Sequence, residues 1–287
     1  YFFENYMPHN FNERKNEMKE LKNSMDEKEI QKIGKYFFKR KLEGEGVYET
    51  SYASNYLPKL SNKLRVIVED CKKKKTPIIT YYSSSDDEFQ TTGNKNGRYP
   101  FWGNQLEAVE KIAFLCKALG YFLIVRVHPN LSSKSIREQE RWNKKEEVVK
   151  SMGFYWVDQE DKESSYQILN NSSFIITAGS TIGIEAISLG KPSVVIAECY
   201  YDTYISSVRL LEKPEELTNF LSRVEEVQPP LASDSYIYGA WLMEYATKYK
   251  YFIPNGLGFG QMVEGHRIGS PGKAQLLLSK MKRIFNL

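Results

Sequence analysis

The chain has 287 residues, of which 41% are hydrophobic, and 40 basic residues against 36 acidic ones leave a formal net charge of +4. This length can bury one large core or two modest ones, and the small net charge gives no reason to expect a nucleic-acid partner. Cys71, Cys116 and Cys199 are odd in number and widely spaced, which indicates reduced thiols in a cytoplasmic setting and argues against structural zinc. No apolar run approaches membrane-spanning length.

The first 70 residues predict a helical segment ahead of the main domain. Apolar residues recur at helical spacing in residues 11–43 and predict two helices that break near Ser24, and residues 59–71 predict a third. The chain begins at Tyr1 within an aromatic run, so we expect part of the protein to precede it. We interpret residues 1–70 as a remnant of, or a link to, an N-terminal acceptor domain, and residues 71–287 as a nucleotide-sugar-binding domain with C-terminal helices.

Strands and helices alternate along the rest of the chain, which predicts an α/β fold with a Rossmann-like parallel sheet and flanking helices. Predicted strands cover residues 77–82, 121–127, 154–157, 174–177 and 193–197. Predicted helices cover residues 101–119, 134–152, 164–169, 184–188, 233–252 and 274–285, with another beginning near 213. Residues 256–260 contain three glycines without the dinucleotide-binding spacing, and they predict a loop.

Residues 174–197 form the unit around which the rest is organised: a strand, a tight turn, a helix and a second strand. The turn Ala178-Gly179-Ser180-Thr181 lets the backbone approach a ligand, and its hydroxyls lie beside unpaired N–H groups, which predicts an anion site. In the alternative interpretation, Ser180 or Thr181 only caps the helix. Glu185, one turn further along, is a candidate acceptor for ribose hydroxyls.

Two other predicted strands also end in polar residues. Residues 77–82 run into Ser83-Ser84-Ser85-Asp86-Asp87-Glu88, at the edge where open α/β sheets bind ligands, although a capping turn would have the same composition. Residues 121–127 run into His128-Pro129-Asn130; a lone histidine is more often structural, but this one follows a strand directly. Arg126 is a charged residue within an apolar run that we expect to be buried. Its guanidinium should therefore be paired, for example with a carboxylate of residues 86–88.

These three strand-end motifs, at 83–89, 126–130 and 179–186, together resemble bacterial capsule-polysaccharide synthesis glycosyltransferases of the GT-B type. The strongest likeness is to the Kdo transferases that use CMP-Kdo, and the His-Pro and Ser-Thr motifs are also similar to those of bacterial sialyltransferases. The resemblance covers residues 77–198. It implies that the chain contains the nucleotide-binding half of a GT-B fold, with too few residues before the motifs for a second Rossmann unit.

The resemblance also implies roles for individual residues. It places His128 on the donor phosphate, Ser180 and Thr181 beside it, and Glu185 on the ribose. An oxocarbenium-like transition state requires a carboxylate near the anomeric carbon, for which Asp86, Asp87 and Glu88 are the catalytic candidates. The candidate substrate-binding residues are Ser84, Ser85, Gln105, Arg126, His128, Asn130, Gly179, Ser180, Thr181 and Glu185.

The expected substrates are a nucleotide-sugar donor, best assigned as CMP-linked, and a glycan or glycolipid acceptor, with no metal and no further cofactor. We expect a cytoplasmic protein that associates peripherally with the inner face of the membrane or with other polysaccharide-assembly proteins. Three alternatives remain open: a GT-B transferase that uses a UDP- or GDP-sugar, a sugar-nucleotide epimerase, and a non-catalytic glycan-assembly module. Preference for UDP, with turnover that needs no acceptor, would favour the epimerase.

Overall fold

The computed structural model describes residues 11–43, 59–85, 99, 102–202, 205, 207–224 and 226–244, and the backbone of residues 252–254, 259–262 and 267–269. Six parallel strands form one sheet in the order β3-β2-β1-β4-β5-β6. Their bounds are β1 Ile78–Tyr82, β2 Phe122–Arg126, β3 Tyr155–Val157, β4 Phe174–Thr177, β5 Ser193–Val195 and β6 Val208–Leu210. This is the strand order of a doubly wound Rossmann sheet, so the predicted fold class is confirmed.

Helices precede, connect and follow these strands. Their bounds are α1 Phe11–Ser24, α2 Glu27–Leu42, α3 Asn62–Lys74, α4 Gln105–Leu119, α5 Ile136–Ser151, α6 Ser165–Asn171, α7 Ile182–Ser188, α8 Pro214–Leu221 and α9 Tyr236–Glu244. Side chains of Ser61, Asn104, Ser135 and Ser164 accept hydrogen bonds from backbone N–H groups in the first turns of α3, α4, α5 and α6. Such caps fix where a helix begins. Among the described residues, no helix is both long and apolar enough to cross a membrane.

The sheet is covered on both faces, as the apolar strands require. Alternate residues of each strand point to opposite faces. One face, represented by Tyr81 and Val125, packs in a core that includes side chains of α4, α5 and α8. The other face, represented by Tyr82 and Ile124, packs in a core that includes side chains of α3, α6 and α7.

A third core joins α1, α2 and α9 to α7 and to β5 and β6. Gly34 of α2 lies against the backbone of α9: a Cβ added there would lie 2.1 Å from the carbonyl oxygen of Tyr236. The two N-terminal helices are therefore part of the same packed structure as the sheet. Helix α3 runs across residue 70 and packs on the sheet through Leu64 and Val68, so the division of the chain at residue 70 stays a prediction.

The structure corrects two predictions near the C-terminus. The helix predicted over residues 233–252 is shorter: a 3-10 turn at Ala232–Ser235 leads into α9, and Phe252–Pro254 is a strand. That strand, β7, pairs with β8 Phe259–Met262, which pairs with β9 Arg267–Gly269, in a small antiparallel sheet. Phe259 and Gly260 thus belong to a strand and not to the predicted loop. The helix predicted over residues 274–285 lies outside the described residues.

Candidate functional site

The connections reverse direction at β1, which lies between β2 and β4. From β1 the chain builds β2 and β3 on one side and then β4, β5 and β6 on the other. Open α/β sheets bind ligands at such a switch point, outside the carboxyl ends of the strands. At this edge, β1 is followed by Ser83, β2 by Val127 and His128, and β4 by Ala178 and Gly179. The three motifs predicted from sequence therefore follow three adjacent strands.

The loop after β2 is attached to the end of β1. The backbone N–H of His128 donates to Ser83 Oγ at 2.7 Å, and Ser83 is almost fully buried. His128 Nδ1 in turn accepts from the backbone N–H of Asn130 at 3.2 Å. A neutral imidazole whose Nδ1 accepts a hydrogen bond carries its proton on Nε2. In this arrangement, His128 is therefore a potential donor through Nε2.

Gln105 holds the chain just beyond β1. Its Oε1 accepts from the backbone N–H of Ser84 at 2.7 Å, and its Nε2 donates to the carbonyl oxygen of Ser84 at 2.8 Å. Tyr81 also donates its hydroxyl to Gln105 Oε1, at 3.2 Å. Gln105 is buried, so its amide fixes the conformation of residues 83–85, hereafter the serine segment. These contacts of Gln105 are within the protein, and a contact between Gln105 and the substrate stays a prediction.

A narrow cleft, with an enclosed volume of about 10 Å³, lies at this edge of the sheet. Ser83, Ser84, Ser85 and His128 line it, together with Val127, Leu131, Lys134, Glu138 and Trp142. The structure thus brings together two of the three predicted motifs. Ser180 and Thr181 do not line this cleft, so the hypothesis that they share one phosphate with His128 stays a prediction.

The turn of residues 178–181, hereafter the glycine turn, connects β4 to α7. Gly179 has a φ of 88°, a left-handed conformation that favours glycine. The backbone N–H of Ser180 donates to Thr177 Oγ1 at 3.2 Å, and Thr181, at the N-cap position, makes no side-chain cap hydrogen bond. The capping interpretation is therefore wrong for Thr181.

Tyr201, which sequence analysis did not select, supports the glycine turn. Its buried hydroxyl donates to the carbonyl oxygen of Ser180 at 2.5 Å. Burial raises the pKa of Tyr201 well above its ordinary value, and the neighbouring Cys199 and Tyr200 add to the effect, so the phenol stays a donor at neutral pH. The loop that carries Tyr201 is closed by Asp202, whose Oδ2 accepts from the backbone N–H of Cys199 at 2.8 Å.

Glu185 forms an ion pair that the sequence did not predict. Its Oε1 lies 2.8 Å from Nζ of Lys41, at the end of α2. The Glu185 side chain is 6% exposed and that of Lys41 is 18% exposed. The charge of Glu185 also acts at the end of β1, on Tyr82. Burial raises the pKa of Tyr82 well above its ordinary value. The positive charge of Arg126 opposes this rise, and the negative charge of Glu185 adds to it.

Arg126 has different partners from those suggested by the sequence. Its guanidinium donates to the carbonyl oxygens of Asp158 at 2.5 Å and of Asp161 at 3.4 Å. These main-chain acceptors belong to the loop after β3, so Arg126 joins that loop to the end of β2. The suggested carboxylate partners, residues 86–88, lie outside the described residues.

The catalytic candidates Asp86, Asp87 and Glu88 have no described position. Of the candidate binding residues, Ser84, Ser85 and His128 line one cleft, and Asn130 orients the His128 ring through its backbone. Gly179, Ser180, Thr181 and Glu185 lie on the β4 side of the same edge. Among the described residues, no three histidine, cysteine, aspartate or glutamate side chains come together as metal ligands.

A protein-family model described as "putative O-antigen biosynthesis protein" matches residues 27–204, more than half of the chain. The chain belongs to this O-antigen biosynthesis family. The matched region begins at α2, contains Lys41 and Glu185, and includes the ends of β1 to β5. No curated protein matches the sequence of this family member.

Solved structures resemble this O-antigen biosynthesis family member at low identity. A Thermosulfurimonas dismutans KpsC β-Kdo 2,7-transferase is 15% identical, with 86% of this chain and 67% of that one covered and a TM-score of 0.38. The wall teichoic acid polymerase TagF is 16% identical, with coverages of 62% and 41% and a TM-score of 0.31. The S. aureus MnaA–UDP structure is 12% identical, with coverages of 81% and 50% and a TM-score of 0.37. The chain thus spans about half the length of several structures it matches.

Proposed function

We propose that this chain is a metal-independent glycosyltransferase of the GT-B type that transfers Kdo from CMP-Kdo to a growing surface polysaccharide or glycolipid. Membership of the O-antigen biosynthesis family supports a role in the synthesis of a surface polysaccharide. The observation that carries the proposal is the hydrogen bond from the His128 backbone to Ser83 Oγ. It brings the histidine motif and the serine motif to one cleft at the switch point of the sheet.

The described groups suit a phosphate leaving group. As the bond from the sugar to the nucleotide breaks, negative charge develops on the phosphate oxygens, and donors already in place stabilise it. His128 Nε2–H and the hydroxyls of Ser84 and Ser85 are such donors at the cleft, and Ser180 and Thr181 are further donors across β1. No step of this scheme requires a metal ion.

The sugar end of the reaction is assigned to Asp86, Asp87 and Glu88, which follow the serine segment directly in the chain. One of these carboxylates would act as the base or nucleophile near the anomeric carbon. In this proposal the acceptor is a glycan or glycolipid, and the protein works at the inner face of the cytoplasmic membrane together with other assembly proteins.

The test has two parts. Calorimetric titration with CMP, UDP and GDP should show the tightest binding for CMP, and incubation with CMP-Kdo and a lipid-linked glycan acceptor should release CMP only when the acceptor is present. Tighter UDP binding, with turnover of a UDP-sugar in the absence of acceptor, would instead indicate an epimerase. If none of the three nucleotides binds, both enzymatic interpretations are contradicted, and the non-catalytic assembly module is the alternative that remains.

A further inference from the structure

The edge at which the strands of the six-stranded sheet begin, opposite the candidate site, is strongly basic. Helices α3 to α7 end at this edge and lead into β1 to β5. The last three residues of each of these helices, taken with the connection that follows, contain seven lysines and no aspartate or glutamate. These lysines, hereafter the lysine edge, are Lys72, Lys73, Lys74, Lys75, Lys117, Lys150 and Lys191. A chain with a net charge of only +4 therefore concentrates positive charge here.

Most charges of the lysine edge have no carboxylate partner. Lys74 pairs with Asp70, and Lys150 pairs with Glu146, in each case one turn back along the same helix. The other five lysines make no ion pair with any residue that the structure describes. The positive charge of this edge is thus neutralised only in part within the described protein.

Neutral acceptors hold some of the unneutralised lysines at the edge. Nζ of Lys72 donates to Oδ1 of Asn171 at 2.7 Å, and Nζ of Lys191 donates to the carbonyl oxygen of Ser172 at 3.0 Å. Burial lowers the pKa of Lys191, and the nearby charge of Lys72 adds to this effect. An ammonium group has three donors, so each of these lysines can also donate to an anion outside the protein.

The lysine edge is level. Ile78 of β1 pairs with Phe122 of β2, and Ile79 pairs with Phe174 of β4, so these neighbouring strands begin within one residue of each other. The five connections are two to four residues long, which prevents any of them from projecting far. Five strands about 4.8 Å apart make the edge about 19 Å wide. A level cationic surface of this width is complementary to a planar anionic partner.

The backbone at Lys75 indicates that a lysine is favoured at this edge for its charge. Lys75 has a φ of 55° and is the only described residue other than glycine with a positive φ. The connections into β2, β3 and β5 have Gly120, Gly153 and Gly190 in this conformation, which is unfavourable for a residue with a Cβ. The helix dipole favours lysines in the last turn of a helix, but Lys191 lies three residues after α7.

We propose that the lysine edge docks the protein on a membrane surface that contains anionic phospholipids. Clusters of about four to eight basic residues are typical of surfaces that recognise such lipids. This inference rests on one part of the proposed function, the location at the membrane, and does not depend on the donor or the reaction. The cleft at the opposite edge of the sheet then faces away from the lipid, so the acceptor glycan has to extend past the protein to reach it.

The experiment measures sedimentation of the protein with lipid vesicles. Wild-type protein should bind vesicles of equimolar phosphatidylcholine and phosphatidylglycerol, should not bind vesicles of phosphatidylcholine alone, and should be released by about 0.5 M NaCl. The side chains of Lys73 and Lys75 make no hydrogen bond or ion pair with any described residue. The double variant Lys73→Gln/Lys75→Gln should therefore fold normally and bind the anionic vesicles about 10-fold more weakly or less tightly still, at about 5-fold per lysine.

Lys162→Gln/Lys213→Gln is the matched control. It removes the same charge from two exposed positions that follow β3 and β6, at the opposite edge of the sheet. This variant should keep its affinity for anionic vesicles within about twofold of wild type, because its lysines lie away from the docked surface.

Lys75→Gly separates docking from folding. Glycine relieves the unfavourable backbone conformation, so this variant should unfold at a higher denaturant concentration than wild type. It should nevertheless bind anionic vesicles about 5-fold more weakly, because one positive charge is lost. Loss of binding together with a gain in stability cannot result from partial unfolding. Unchanged vesicle binding by this variant and by Lys73→Gln/Lys75→Gln would overturn the proposal.

The remaining outcomes separate this inference from the proposed reaction. The inference is overturned if wild-type protein does not bind anionic vesicles, if it binds both vesicle compositions equally, or if the two double variants lose the same affinity, since that is the effect of net charge alone. Sugar transfer is assayed separately with a soluble glycan acceptor. Transfer without vesicle binding would leave the proposed reaction and contradict the docking surface, and vesicle binding without transfer would do the reverse.

Discussion

The hydroxyl of Tyr201 donates a hydrogen bond to the backbone carbonyl oxygen of Ser180 at 2.5 Å. The two residues belong to the loops that follow β5 and β4, adjacent strands of the sheet. The same carbonyl also accepts from the backbone N–H of Gly183 at 3.0 Å. Tyr201 therefore fixes the geometry of the glycine turn from outside it.

Tyr201→Phe should destabilise the protein by about 1 kcal/mol, because it removes one of two hydrogen bonds to a partly buried carbonyl. It should also weaken nucleotide binding, since the glycine turn loses its support. Chemical denaturation and nucleotide titration measure the two effects. Tyr200→Phe is the control: it removes a hydroxyl from the same aromatic cluster, where Tyr200 contacts Tyr238 at 3.2 Å, and should not change nucleotide affinity. Equal affinity losses in both variants would contradict the assigned role of Tyr201.

Gly183→Ala should destabilise the protein by about 1–3 kcal/mol through crowding. A Cβ at this position would lie 2.7 Å from Tyr201 Oη and 2.9 Å from Thr177 Cγ2. Without crowding, the higher helix propensity of alanine would stabilise α7 by about 1 kcal/mol, so the sign of the change in unfolding free energy decides between the two effects. In the double variant with Tyr201→Phe, part of the loss should be recovered, because one close contact is gone.

Ser83→Ala should destabilise the protein by about 1–3 kcal/mol, because it leaves the backbone N–H of His128 without its buried acceptor. The loop that carries His128 should also shift, with a loss of nucleotide affinity. Ser132→Ala, on the same loop, removes only an exposed hydroxyl that donates to the carbonyl of Pro129, and should change stability by less than about 0.5 kcal/mol. Similar unfolding free energies for the two variants would show that the Ser83 contact is unimportant.

The sequence predicts well what depends on local patterns. Phe174–Thr177 is a short β-branched and aromatic run that is fully buried, and its length and its β-branched residues favour a central strand. By contrast, β6 contains an exposed arginine, Arg209, which pairs with Glu216. Its three residues, Val-Arg-Leu, are too few to establish an alternating pattern, so this strand was not predicted.

The parts of the site that were missed depend on long-range contacts. Lys41 and Glu185 are 144 positions apart in the chain, and a lysine in a charged helix gives no local signal that its side chain will be buried. The role of Tyr201 likewise follows from its position in the fold, since its sequence neighbours predict only a loop. Arg126 was correctly expected to be paired, but main-chain carbonyls have no sequence signature, so their identity required the structure.

Asp158→Asn should stabilise the protein at about pH 7 and have little effect at about pH 3. Burial raises the pKa of Asp158, and the negative charges of Glu146, Asp161 and Glu160 add to this rise. The folded state therefore holds the Asp158 proton to higher pH than the unfolded state does. The free energy of unfolding falls as the pH rises from the unfolded-state pKa to the folded-state pKa of Asp158, and the full destabilisation is reached above the folded-state pKa. Asparagine avoids the cost and can still accept from the N–H of Gln159. Denaturation at both pH values tests this; a stabilisation of equal size at both would contradict it.

Replacing His128 and Asp87 separately should divide nucleotide binding from sugar transfer. His128→Ala removes a donor at the cleft and should weaken nucleotide binding by about 10-fold or more, because hydrogen bonds to a charged phosphate are among the stronger ones. Asp87→Ala should abolish transfer and leave nucleotide affinity within about threefold, because its carboxylate is assigned to the anomeric carbon and not to the phosphate. Titration with CMP and an acceptor-dependent assay with CMP-Kdo measure the two effects. Normal transfer by Asp87→Ala would move the catalytic assignment to Asp86 or Glu88, and normal CMP binding by His128→Ala would remove His128 from the donor site.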